Sequence, residues 1–134
     1  MIFVDTQYVF ALTNPRDQHH SRASELWSQT AGTHFLITEP VLLEIGNALA
    51  GRYKSEAVRI IEDARDCDDI RLVRLTPELF DRGLELYKSH RDKDWGLVDC
   101  ISFVVMRDFG VTDALTHDIH FVQAGFRALL REDS

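Results

Sequence analysis

The sequence predicts an α/β protein, a three-layer α/β/α sandwich around a central, mostly parallel sheet of four to five strands. Two observations carry that expectation. Short apolar runs alternate along the chain with longer stretches of helical period, the pattern of βαβ units. The runs also lack polar alternation, as strands covered on both faces do.

The elements come in order. "IFV" at 2–4 is the first strand expected. Residues 20–30 carry Ala23, Leu26 and Trp27 at helical spacing, and Trp27 is expected in the core. "FLI" at 35–37 is the second strand. Two helices come next, at 40–50 with Val41, Leu42, Ile45, Ala48 and Leu49, and at 54–66 with Ala57, Val58, Ile61 and Ala64. Together they form a long excursion before the third strand, "IRLVRL" at 70–75. Residues 78–88 carry Leu79, Phe80, Leu84 and Tyr87; residues 97–109 are apolar almost all round. "ALT" at 114–116 is the fourth strand, and "FRALL" at 126–130 adds an edge strand. The whole chain, residues 1–134, is expected to form one domain.

Composition narrows the function. No apolar run approaches the ~18 residues a bilayer span needs. The chain enters "IFVD" without a basic segment, so no signal peptide is expected. Cys67 and Cys100 form no framework and are expected as reduced thiols in a cytoplasmic protein. The net charge is −7, so binding of nucleic acid by bulk charge is excluded. Acids gathered in one site would instead hold cations.

Position shows where they gather. Ligands of an open α/β sheet bind beyond the carboxyl ends of its strands. Asp5 directly follows the strand at 2–4. Asp118 follows the strand at 114–116 with His117 between. The helix at 97–109 must run antiparallel to the strand it feeds, which returns Asp99, in its first turn, to the same edge. The helix at 40–50 leaves that edge with Glu44 in its second turn. Glu44 shares a face with Val41, Ile45 and Ala48, and Asp99 is embedded in "GLVDCISFVVM". Acids among apolar residues are rarely buried unless paired or metal-bound. Four converging carboxylates select a hard divalent ion, Mg²⁺ or Mn²⁺, and the helix N-terminus favours ionised Asp99. Hydrolysis of a phosphodiester held by the metal is the chemistry such a site serves.

Other residues have smaller expected parts. Thr6, Ser102 and Thr116 support the acids by hydrogen bonding. Asp94 caps the helix at 97–109, with an outer role at the metal as the alternative. Asp92 and Asp113 read as solvated loop acids. His19 and His20 read as the exposed start of a helix. His117 and His120 form an H-x-x-H without further Cys or His to make a zinc site, so both read as surface or substrate-proximal groups. Trp95 covers the core, with base stacking as its alternative. Arg52, Lys54, Lys88, Arg91 and Lys93 are candidates to line the path of a phosphodiester polymer, against the ordinary reading of a solvated face.

Four segments carry a resemblance: "VDT" at 4–6, "TEPVLLEIGNAL" at 38–49, "LVDCISFVVM" at 97–106 and "LTHDIHF" at 115–121. In this order and spacing the chain resembles the PIN-domain ribonucleases, particularly the VapC-like toxins. Gln7 stands where Ser or Asn is commoner, and Cys100 where Ala is usual. The resemblance implies a metal-dependent endoribonuclease with Asp5, Glu44, Asp99 and Asp118 as its acidic residues. It also implies RNA as substrate, a small antitoxin protein as partner, and a homodimer. Two other classes stay open at this point. One is a PIN-fold binding module without activity. The other is an aspartyl phosphatase or phosphoacceptor using Asp5; the haloacid-dehalogenase type wants a second Asp where Gln7 stands.

Overall fold

In the computed structural model, which describes residues 1–132, every strand pairing is parallel. The strands are Ile2–Val4 (β1), Phe35–Thr38 (β2), Ile70–Val73 (β3), Asp113–Leu115 (β4) and Arg127–Ala128 (β5). Their spatial order is β3-β2-β1-β4-β5. The first strand of the chain is therefore the central one: Phe3 lies opposite Leu36 on one side and Ala114 on the other. The helices are Thr6–Thr13 (α1), His20–Gln29 (α2), Glu39–Ala48 (α3), Lys54–Asp66 (α4), Pro77–Ser89 (α5), Leu97–Phe109 (α6) and Ile119–Gln123 (α7). A 3-10 turn at Leu129–Arg131 succeeds β5.

Side chains alternate across a strand, and here they enter two different cores. Ala114 joins a large cluster with Phe3, Leu36, Ile45 and Phe103. Its neighbour Leu115 joins a smaller one with Tyr8, Ala23, Leu26 and Leu130. Helices thus cover both faces of the sheet. α6 is buried from Cys100 through Met106, which is why no polar stripe is visible in its sequence. Phe103, near its middle, meets Trp95 and Phe121 edge-on at 5.1 and 5.0 Å.

Local chemistry sets the helix ends near the site. Thr38 caps α3, its hydroxyl accepting from the Val41 N–H, with Pro40 just inside the helix. Thr76 and Pro77 start α5 in the same way. α6 stops at Gly110, whose φ of 65° is the left-handed conformation glycine adopts at little cost. This short stop reverses the chain directly into β4.

Several sequence expectations are corrected. The third strand ends at Val73, short of residue 75, because Glu39 captures the next two residues: its carboxylate accepts from the Arg74 guanidinium and from the Leu75 N–H. The run at 126–130 gives a two-residue strand and then the 3-10 turn, whose Leu130 N–H donates to the Thr116 carbonyl. α1 was absent from the sequence pattern, since "TQYVFALT" is apolar on most sides. Trp27 is not a core residue; it is 54% exposed and stacks on Phe35. Asp94 does not cap α6. It is exposed, and the Gly96 N–H is taken by Asp99 instead. Asp113 opens β4 and pairs with Arg127 rather than lying in a loop. His19 and His20 are half-buried, one stacked on His117 and the other bonded to the Ala11 carbonyl. Cys67 and Cys100 are free thiols, and among the described residues no helix is long and apolar enough to cross a membrane.

Candidate metal centre

A parallel sheet puts all its carboxyl ends on one edge, and the acids are delivered there by four different elements. Asp5 leaves β1 and is 5% exposed. Its Oδ2 accepts from the Thr116 hydroxyl at 2.8 Å. Thr116, itself fully buried, also accepts from the Asp118 N–H at 3.0 Å. Asp118 caps α7 through the His120 N–H. Asp99 sits at the third position of α6 and accepts from the Gly96 N–H at 3.2 Å. Glu44 comes from α3 and accepts from the Thr6 hydroxyl at 2.6 Å. These four carboxylates line one cleft of about 570 Å³, together with Thr6, Gln7, Phe10, Asn47, Ala48 and His120.

Glu44 is not the buried misfit expected from its helical face; it is exposed at the cleft rim. Helical residues step about 100° apart. Val41, Leu42, Ile45 and Leu49 all fall within one buried arc, and Glu44 lies about 60° outside it. Ser102 also departs from expectation. It is buried, but its hydroxyl donates to the Val98 carbonyl one turn back and not to an acid.

His120, read from the sequence as a surface or substrate-proximal group, lines the cleft beside the acids. Its Nδ1 lies 3.1 Å from Asp99 Oδ2 and 3.4 Å from Asp118 Oδ1. Facing two ionised carboxylates, this nitrogen donates when it carries the ring proton. The signal was present in "DIH": two residues beyond a helix-capping Asp, a side chain returns to the cap. The H-x-x-H reading drew attention to the wrong spacing.

Electrostatics derive from burial. Burial pushes the Asp5 carboxyl up to about 7; the Thr116 hydrogen bond opposes this, and the neighbouring Asp99 and Asp118 charges add to it. Asp99 is also raised, mainly by burial, against the bond from His120. Lysine and arginine are both absent from the cleft lining. Among the described residues, the cleft gathers four acids with His120 and no lysine or arginine to balance them. Asp99, Asp118 and His120 each offer a ligand atom, all within 4.8 Å of one another. Gln7 Oε1, in the same wall, is buried without a partner. Carboxylate oxygens with one imidazole suit a divalent ion of the Mg²⁺–Mn²⁺ type.

A doubly covered parallel sheet with an uncompensated acidic cleft at its carboxyl edge defines the class: an α/β protein whose strand ends are built to hold a cation. Within that class the chain belongs to the PIN domain family, whose profile matches residues 2–127. It is 32% identical over 126 residues to the 23S rRNA-specific endonuclease VapC20 of Mycobacterium tuberculosis, covering 94% of this chain and 95% of that protein. The crystal structure of that Sarcin-Ricin loop cleaving toxin superposes with a TM-score of 0.83 at 30% identity, over 94% of this chain and 96% of the other. FitAcB from Neisseria gonorrhoeae shares the fold, with a TM-score of 0.65 at 13% identity over 96% of both chains.

Proposed function

We propose that the protein is a metal-dependent endoribonuclease that hydrolyses RNA phosphodiester bonds as the toxin of a toxin–antitoxin pair. The observation that carries this is the cleft in which Asp5, Glu44, Asp99 and Asp118 meet with no lysine or arginine among them. Asp5, Asp99 and Asp118 would hold Mg²⁺ or Mn²⁺, with Glu44 at the rim and His120 hydrogen-bonded beside them. When bound, the ion neutralises the phosphodiester and acidifies a water for attack. Thr116 holds Asp5 and the Asp118 backbone in fixed relation, and Thr6 orients Glu44. The likeness to a 23S rRNA-specific endonuclease supports RNA as substrate and a cytoplasmic place of action. Its other partners are a small antitoxin protein and a second copy of itself. A phosphoacceptor role for Asp5 is disfavoured, because the carboxyl is buried and already bonded to Thr116.

The test is cleavage of single-stranded RNA with Mg²⁺ or Mn²⁺. Asp5→Asn and Asp99→Asn should each reduce cleavage to background while circular dichroism stays unchanged. Cutting that persists in both variants, or in excess EDTA, rejects the proposal.

A further inference from the structure

The acidic cleft repels the substrate it is proposed to cut, so cations must hold the RNA on either side of the cleaved bond. Most arginines that pair are tightly committed. Arg74 is bonded to Glu39 at 2.8 Å, Arg82 to Asp108 at 2.6 and 2.8 Å, and Arg127 to Glu132 at 2.7 and 2.9 Å. Among the described residues, other cations, Arg52 and Lys54 included, are held loosely or not at all, and three of these share one cleft. The connection from α5 to α6 forms a second cleft of about 620 Å³, lined by Lys88, Arg91, Lys93, His90, Tyr87 and Asp94, with Trp95 and Gly96. Lys88 and Lys93 have loose neighbours, Glu85 and Asp92, each at 3.6 Å. Exposed pairs of this kind contribute little and are readily exchanged for a phosphate. Arg91 is exposed and, among the described residues, has no ion-pair partner.

The two clefts share no lining residue but are joined through one hydrogen bond. Gly96 lines the second, and the Gly96 N–H donates to Asp99 of the metal centre. The surface of the second cleft also carries an aromatic group. Tyr87 is 47% exposed, whereas Trp95 is fixed as floor, its ring covered by His90 and its indole N–H bonded to Gln123. A groove of cations with an accessible aromatic ring is the composition that tracks single-stranded nucleic acid: phosphates on the cations, a base on the ring.

We infer that the α5–α6 connection is the RNA-binding arm of the centre, with Arg91, Lys88 and Lys93 holding backbone phosphates that flank the cleaved bond and Tyr87 stacking on a base. The inference rests on the ribonuclease reading. It explains how a chain of net charge −7 engages a polyanion: affinity comes from one local groove and not from the whole surface.

The test uses the full chain. Binding of a fluorescein-labelled single-stranded RNA is measured by anisotropy in the Asp5→Asn background, between low and moderate salt. Each phosphate contact to a single strand contributes about 0.7 to the slope of log affinity against log salt. The triple change Lys88→Ala, Arg91→Ala, Lys93→Ala should weaken binding at least tenfold and flatten the slope by about 1.4 to 2.1. In the active enzyme, Arg91→Glu should raise KM with kcat nearly unchanged, and Tyr87→Ala should raise KM while leaving the salt slope intact. Arg59→Glu, an equal charge change on exposed α4, should alter neither. Equal affinity and slope in the triple variant, with Asp5→Asn still inactive, overturn the groove and leave the nuclease standing. A wild-type protein that neither binds nor cuts RNA overturns both.

Discussion

The hydroxyl of Thr116 donates to Asp5 and accepts from the backbone of Asp118, so one buried group couples acids 113 positions apart in the sequence. A hydrogen bond to a charged group is worth about 1.5–3 kcal/mol, and one pH unit is about 1.4 kcal/mol. Thr116→Val removes the donor that holds Asp5 down, so its carboxyl should rise further above the present value of about 7. The pH midpoint of Mn²⁺ binding, read by titration calorimetry, should then move upward by about one to two units. A midpoint that does not move shows that Thr116 has no hold on Asp5. At this scale the sequence was informative wherever position along a strand decides the edge: Asp5 and Asp118 come just after strands, and their meeting could be read from topology. His120 and Glu44 were harder. The angle of a side chain about a helix axis, and the return of a side chain to a capping carboxylate, depend on packing that the local pattern does not encode.

Among the elements, α6 is the most constrained. It is buried through its middle, ends in a left-handed glycine and presents Asp99 at its start. α5 packs against it at Gly83, where an added Cβ would come within 2.5 Å of Ile101 Cγ1 and 3.4 Å of the Ile101 backbone. Alanine normally favours a helix by about 1 kcal/mol over glycine. Here overpacking, typically about 1–3 kcal/mol, should exceed that gain. Gly83→Ala should lower the Tm by a few degrees in a thermal melt; an unchanged or raised Tm would show that the two helices separate freely. Helices with a clean amphipathic stripe, such as α4 and α5, were legible with nearly correct ends. α1 was not, because an eight-residue apolar helix directly after a strand has neither a polar face nor a sequence break. The third strand is two residues shorter than its apolar run, because its end is set by Glu39, a side chain on a different element.

For the molecule as a whole, the acidic cleft links stability to pH. Unfolded Asp has a pKa near 3.9, and native Asp5 is raised to about 7. Between those values the metal-free native state keeps a proton that the unfolded state releases. The native state binds more protons, so stability falls as pH rises, by at most about 1.4 kcal/mol per pH unit. The loss is complete above pH 7, and the shift of Asp99 acts in the same direction. The metal-free protein should therefore melt at a higher temperature at pH 6 than at pH 8. Saturating Mn²⁺ should raise the pH 8 melt most, because the ion takes the place of the proton. A metal-free Tm that increases from pH 6 to pH 8 contradicts this account.

The position of β1 at the centre of the sheet has a consequence for biosynthesis. Its partner β4 lies more than a hundred residues later, and with β4 arrive Thr116 and Asp118. A growing polypeptide that has not yet reached them has an open sheet edge and an incomplete acidic cleft. Until β4 and the segment after it have been made, the cleft lacks Asp118 and His120, so on the ribonuclease reading a nascent chain does not cut RNA near the site of its own translation.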